Sequence, residues 1–340
     1  MFSLKTVRLV AIIFAASSLF SCNAEWGSNK SWSKGLKPTH FPESSYAFDP
    51  DTLDKPTVEL GRALFYDNIL SSDSSISCGT CHSQIHAFAG HGTALSAGVD
   101  GRLGTRNTPG LSNLAWHESY MLDGGINHLE LVPIAPITST VEMNLSLSEA
   151  LMRLNTSSYR GRFKKVFGAD TINTKLLMKA LTAFELTLVS ADAKYDAVLL
   201  GEATFTEEEA LGEDLFMARC ASCHVPPLFS EYTYANNGLE LYSTDGGRGR
   251  ITLNAADSGS FKIPSLRNAE LTYPYMHDGS LYTLDAVLEH YSTGIEDSPN
   301  LDPRIEGPME FTSQEKSALI AFIKTLTDHS LLTNPNLGEL

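Results

Sequence analysis

Cysteine and histidine recur in one arrangement twice along this chain. Cys78-Gly79-Thr80-Cys81-His82 and Cys220-Ala221-Ser222-Cys223-His224 each set two thiols three positions apart, with an imidazole directly after the second. Thiols so spaced can add to the two vinyl groups of one porphyrin, and the adjacent imidazole can take the proximal position on its iron. One such motif alone would also suit a zinc half-site or a thiol redox pair. Neither alternative explains a His after both pairs, and no β-α-β pattern surrounds them. The reading is two covalent c-type haems, cofactor-bound through Cys78, Cys81, Cys220 and Cys223, with His82 and His224 on the irons.

The elements that must position these motifs also come in pairs. Leu60-Gly61-x-x-Leu64-Phe65 precedes the first motif and returns as Leu211-Gly212-x-x-Leu215-Phe216 before the second. Leu181-x-Ala183-Phe184-x-x-Thr187-Leu188 returns as Leu319-x-Ala321-Phe322-x-x-Thr325-Leu326. All four strings carry helical periodicity. Thr206 with Glu209, and Thr312 with Glu315, form capping boxes that start the two later helices. Each half thus runs helix, haem motif, long loops, helix, with a Gly where the first and last helices would cross closely. The expected fold is mostly α, in two cytochrome c-like domains of 46–200 and 201–332, with the break near Leu199-Leu200-Gly201-Glu202. The stretch from Ser83 to Val141 is a long insertion of the kind that often carries function.

Composition and the N-terminus set the compartment. A chain of 340 residues with 42% hydrophobic content is large enough for two packed cores. A formal net charge of −15 argues against a nucleic-acid binder and suits docking of a basic redox partner. Lys5 and Arg8 precede an apolar run from Leu9 to Phe20, which is short for a membrane span and reads as an export signal. It ends at Leu19-Phe20-Ser21-Cys22, the pattern of a lipoprotein signal over 1–22 with lipidation at Cys22. Of the five Cys, four belong to the haem motifs and Cys22 is the remaining one. Residues 23–45 read as a tether rich in Ser, Lys, Asn and Gly. The expected location is the periplasmic side of a bacterial membrane, held by the lipid.

Several further strings resemble the bacterial di-haem cytochrome c peroxidase/MauG family. They include Gly104-Thr105-Arg106-Asn107-Thr108-Pro109, Asp123-Gly124-Gly125, Ala135-Pro136-Ile137 and Val141-Glu142-Met143. In the second half, Phe261-x-Ile263-Pro264-Ser265-Leu266-Arg267-Asn268 and Leu271-Thr272-x-Pro274-Tyr275-Met276-His277-Asp278-Gly279 match as well. The resemblance spans about Pro56 to Thr327. It implies that the N-terminal haem meets peroxide and the C-terminal haem stores and relays an electron.

The same resemblance assigns residues. Glu142 matches the catalytic distal carboxylate, which would pass a proton between the peroxide oxygens; a Glu in so apolar a stretch suits a raised pKa. Met276, His277, His290, Tyr291 and Met309 are the candidates for sixth ligand of the second iron, and Tyr291 takes the family's ligand position. Peroxidases of the family usually carry Met there and MauG-like members Tyr. Asn107, with Thr272 and Pro274 through their carbonyls, matches a Ca²⁺ site. On the loop where the peroxidases cap the first iron with a His, this chain reads Ser96-Ala97-Gly98-Val99-Asp100, which implies an open iron; His86 and His91, upstream, are the residues that could still reach it. Leu122 replaces the Trp relay usually found before Asp-Gly, with Trp116 and Tyr120 nearby. The expected protein is an oxidoreductase reducing H₂O₂ to water with electrons from a small cytochrome c or a cupredoxin, with a homodimer among its expected partners. The alternatives are a MauG-like oxidase acting on residues of a partner protein, and a non-enzymatic di-haem electron carrier.

Overall fold

The computed structural model describes residues 36–47, 53–90, 92–305 and 307–339. Cys22, the export signal, most of the tether and His91 lie outside them. The helices are α1 (Lys55–Tyr66), α2 (Cys78–Cys81), α3 (Ile134–Thr138), α4 (Leu147–Thr156), α5 (Tyr159–Phe167), α6 (Thr174–Glu185), α7 (Lys194–Leu199), α8 (Glu207–Arg219), α9 (Gly249–Thr252), α10 (Leu284–Glu289), α11 (Ser313–Lys324) and α12 (His329–Thr333). Among the described residues, β structure is confined to isolated bridges and one antiparallel pair, β1 (Tyr234–Ala235) and β2 (Phe261–Lys262), in which Tyr234 faces Lys262. The fold is mostly helical, as its periodicity predicts.

Each half is built on one crossing of two helices. α1 starts where Asp54 accepts from the Thr57 amide at 2.9 Å, and packs across α6. α8 and α11 start at their expected capping boxes and pack the same way. The repeated glycines sit at the crossings. A Cβ on Gly61 would lie 1.8 Å from the Ala180 carbonyl oxygen, and one on Gly212 would lie 2.0 Å from that of Ala318. The Phe of each string closes the core beneath: Phe65 against Phe184 in the first half, Phe216 against Phe322 in the second.

Three stretches depart from expectation. The end of the presumed tether is packed: Leu36 and Phe41 are buried, Phe41 stacks edge-on against Trp116, and the Trp116 indole donates to the Pro42 carbonyl at 2.8 Å. His40 reaches Asp196 at 2.9 Å, and Asp196 also holds Arg267 through two bonds of 2.6 and 2.8 Å. Leu36 and Phe41, apolar residues in a polar stretch, are what pin 36–45 to the folded body while most of its other residues stay at the surface. Second, α7 already belongs to the second core, since Tyr195 packs with Phe229 and Phe322, so in packing terms the break precedes residues 199–202. Third, the tail beyond 332 returns to the first half. Arg62 donates to the Pro335 and Gly338 carbonyls, Tyr66 to Leu337, and Gln84 to Leu331 and Asn334.

Candidate active site

Both haem motifs present their residues in the same way. Cys78 and Cys81 occupy the single turn of α2, while Cys220 ends α8 and starts the turn that carries Cys223. All four are unpaired thiols, and burial pushes Cys78 and Cys220 up to about 12. The imidazoles are oriented by backbone. His82 Nδ1 lies 3.0 Å from the Phe88 carbonyl oxygen, and His224 Nδ1 lies 3.2 Å from that of Phe229 and 3.1 Å from that of Pro264. Phe88 and Phe229 both adopt positive φ, 59° and 54°, which turns the carbonyls inward. Committing Nδ1 in this way directs Nε2 as the ligating atom. Burial pushes the His224 imidazole down, toward the neutral form that binds metal. Two unpaired thiols on one turn, beside an oriented imidazole, are a donor set that fits covalent haem c at both sites.

The loop and the carboxylate meet above the first motif. Glu142 precedes Met143, a residue of the first core, and its amide donates to Ser139 at 3.1 Å. Burial raises the Glu142 carboxyl, opposed by a hydrogen bond from Ser139. Its charge is felt at the Cys81 thiol, and Ser96 hydrogen-bonds that thiol. The loop carrying Ser96 is pressed onto the Glu142 backbone: Val99 donates to the Glu142 carbonyl at 2.8 Å, and a Cβ on Gly98 would lie 2.2 Å from the Val141 carbonyl oxygen. Cys81, Ser96 and Glu142 therefore share one site. His86 is turned elsewhere, with its ring edge-on to Tyr273 at 6.4 Å.

The candidates around the second motif separate. Tyr291 sits on a π-helical turn, His290–Gly294, directly after α10; such turns often mark functional positions. Burial raises its hydroxyl, Asn237 hydrogen-bonds it, and the charges of Cys220 and Cys223 act on it. His290 Nε2 is held by the Asn237 carbonyl at 3.1 Å, and the Met276 sulfur accepts from the Asn237 amide at 3.2 Å. His277 is stacked on Phe261 at 4.0 Å. Met309 meets the turn through its backbone, donating to the Tyr291 carbonyl.

The two halves join beside these sites. Asn107 donates from its side chain to Ala94 at 2.9 Å and from its backbone to His277 at 2.7 Å. Gly92 abuts Tyr273 and Gly279 abuts Ala94, which brings the Thr272–Pro274 loop against the loop before Asn107. Leu122 lies in a tight loop closed by the Tyr120–Ile126 bridge, and its carbonyl accepts from the Lys262 amide at 2.7 Å. Trp116 is buried in the core. Tyr120 is stacked on His117, which in turn lies 4.0 Å from Tyr232. Lys262, buried here and donating to the Ser119 carbonyl, is pushed down to about 7 by burial.

Sequence reasoning passed over two buried groups. Lys262 in β2 reads as an ordinary strand residue. Glu185, at the end of α6, is 6% exposed and lies within electrostatic range of Cys78 and Tyr120.

Two cytochrome c-type helix crossings, each carrying its own haem-attachment motif and joined through an elaborated loop face, define a di-haem c-type protein. The chain belongs to the di-haem cytochrome c peroxidase/MauG family. The family model for di-haem cytochrome c peroxidase matches residues 55–204, and that for cytochrome c matches 209–327. Methylamine utilization protein MauG of Methylorubrum extorquens is 35% identical, over 87% of this chain and 85% of that protein. Cytochrome c551 peroxidase of Nitrosomonas europaea is 35% identical, over 83% of this chain and 82% of that protein. A solved MauG-like protein associated with microbial copper homeostasis superposes with a TM-score of 0.82 at 31% identity, over 89% of this chain and 98% of that one. The diheme peroxidase BthA of Burkholderia thailandensis shares the fold, with a TM-score of 0.73 at 20% identity over 84% of this chain and 90% of that one. The protein is an oxidoreductase of this peroxidase family, with haem c in both domains. Among the described residues, no helix is long and apolar enough to cross a membrane.

Proposed function

We propose that the protein reduces H₂O₂ to water at the His82 site, with electrons entering from a small cytochrome c or a cupredoxin through the His224 site. The observation that carries this reading is the meeting of Glu142 and the Ser96–Arg102 loop at Cys81, with no His on that loop. Haem c supplies the redox chemistry when attached. The chain's own residues bind, orient and move protons. His82 and His224, each held at Nδ1 by backbone carbonyls, would present Nε2 to the irons of the two haems. Glu142, half-buried and raised by desolvation, accepts a proton from bound peroxide and returns one to the leaving oxygen. Ser139 holds the carboxyl in place. Tyr291 is the proposed sixth ligand at the second site, supported by its burial on the π-helical turn within electrostatic range of Cys220 and Cys223. Asn107, with the Thr272 and Pro274 carbonyls, would hold Ca²⁺ across the junction between the halves, where oxygen donors suit that ion. Lipidation at Cys22 would keep the protein at the periplasmic face, and the −15 charge suits a basic donor.

The test is peroxide consumption by the holoprotein with a reduced cytochrome donor, alongside electron paramagnetic resonance of the ferric protein as isolated. Turnover without prior reduction, and one high-spin signal beside one low-spin signal, are expected. Two low-spin signals with no turnover would leave an electron carrier. Tyr291 favours a second reading, oxidation of residues on a partner protein as in MauG-like members. Peroxide-dependent modification of a partner, with no oxidation of the reduced cytochrome, would establish that reading instead.

A further inference from the structure

The last helices of the two halves repeat each other and differ in a telling way at two positions. Leu181, Ala183, Phe184, Thr187 and Leu188 match Leu319, Ala321, Phe322, Thr325 and Leu326. Their geometry agrees in detail: the hydroxyls of Thr187 and Thr325 each donate to the carbonyl three residues back, both at 2.6 Å. In that register Thr182 corresponds to Ile320 and Glu185 to Ile323. The second half thus places two isoleucines where the first half buries a hydroxyl and a carboxyl.

Both polar groups lack the partners that burial demands. Thr182 is 3% and Glu185 6% exposed, and neither Thr182 Oγ1 nor Glu185 Oε2 has a hydrogen-bond partner. Three residues apart on one helix, they share a face. Buried polar atoms are almost always paired, so two unpaired ones side by side call for a functional account. Burial alone pushes the Glu185 carboxyl up to about 8. The groups that feel its charge are the Cys78 thiol on α2 and the Tyr120 hydroxyl. The charged side chains on the elements packed against α6 are engaged elsewhere. On α1, Arg62 and Tyr66 are turned to the tail, and Lys55 pairs with Glu59. On the turn Leu129–Leu131, Glu130 accepts from the Tyr46 hydroxyl.

We propose that Glu185 is a redox-linked proton site of the N-terminal haem centre, taking up a proton when that centre gains an electron and releasing it when the electron leaves. The proposal rests on the di-haem reading only in placing a haem at Cys78. The step balances: one electron arrives from the donor, one proton moves from solvent to the Glu185 carboxylate, and both leave again on reoxidation. The physical reason is repulsion in a low-dielectric site. An added electron near a buried, unpaired carboxylate is unfavourable unless that carboxylate is neutralised. The second centre, with Ile320 and Ile323 at these places, has no such group.

The experiment is potentiometric titration of the full-length holoprotein across a series of pH values, with the two haems followed separately by their spectra. The N-terminal midpoint is expected to be flat near neutral pH, where a carboxyl pushed up to about 8 is already protonated, and to fall as pH rises through the alkaline range above it. Glu185→Gln should flatten that slope and leave the C-terminal midpoint unchanged, while Glu59→Gln, at an exposed carboxylate of α1, should keep it. A wild-type midpoint independent of pH, or a slope unaltered by Glu185→Gln, overturns the proposal; so does a slope abolished by Glu59→Gln. Should Glu185→Gln fail to load haem, infrared difference spectra of the Glu142→Gln protein decide. A protonated carboxyl gained on reduction supports the proposal, and an unchanged carboxyl region overturns it. Potentials are read without peroxide, so a failure of peroxidase turnover leaves this result intact.

Discussion

Glu142 owes its proposed role to desolvation rather than to a charged neighbour, because burial is the largest influence on its carboxyl and Ser139 only opposes it. Glu142→Gln keeps the shape and removes the titration. Peroxide turnover should fall by about 10²–10⁴-fold, the usual contribution of a positioned acid–base group, with haem content unchanged by absorption spectrum. The sign of the pH dependence follows. The carboxylate form takes the proton, so kcat/KM should rise with pH through the Glu142 pKa. That acid limb should lie above the ~4.3 of an ordinary Glu and vanish in Glu142→Gln. At the second site, Tyr291→Phe keeps the buried ring and loses the oxygen. The low-spin signal of the C-terminal haem should convert to high-spin in electron paramagnetic resonance; an unaltered signal would pass the ligand role to Met276 or Met309. Attachment residues were legible because their chemistry is local, confined to five consecutive positions in each half. Glu185 was not, since a lone Glu at the end of a helix looks like a solvated residue. Setting Glu185 against Ile323 in the repeat would have exposed it.

At the scale of elements, the glycine crossings make the strongest claim. Ala in place of Gly favours an isolated helix by about 1 kcal/mol. At Gly61 and Gly212 the added methyl would instead drive into the carbonyls of Ala180 and Ala318, 1.8 and 2.0 Å away. Gly61→Ala and Gly212→Ala should each destabilise by roughly 1–3 kcal/mol, as overpacking does, in urea unfolding of the holoprotein. Gly161 on α5 is the control. Nothing lies within 4 Å of its Cβ position, so Gly161→Ala should be neutral or mildly stabilising. These crossings were readable from the repeated strings, whose spacing is helical and whose glycines recur in register. β1 and β2 were not, because two-residue strands carry no period. The packing of 36–45 was hidden for another reason. A single Phe41 among polar residues gives no pattern, and its partners Trp116 and Arg267 are far away in sequence.

Across the whole molecule, the relation between the two halves is set by contacts that no local pattern announces. Arg106 of the first half lies 2.6 Å from Asp123 of the same half and 2.6 Å from Asp245 of the second, with its guanidinium over the Phe261 ring at 5.4 Å. The Arg106 guanidinium, hydrogen-bonded to Asp245, holds that carboxyl down at about 2. An isolated surface pair would contribute little, but these side chains are only 9–18% exposed, so screening is weak. Arg106→Met would leave two carboxylates uncompensated at the junction. The expected cost is roughly 3 kcal/mol, the lower end of the range for breaking a buried pair. Thermal unfolding should show the loss, and the double variant Arg106→Met/Asp245→Asn should recover part of it. The pH dependence separates this from a packing effect. Asp245 is depressed in the folded protein relative to an ordinary Asp at ~3.9. Its ion pair therefore contributes fully above about pH 4 and is lost as pH falls through about 2. The stability gap between wild type and Arg106→Met should narrow over that window; a gap that stays constant down to the acid end would assign the effect to packing against Phe261 instead.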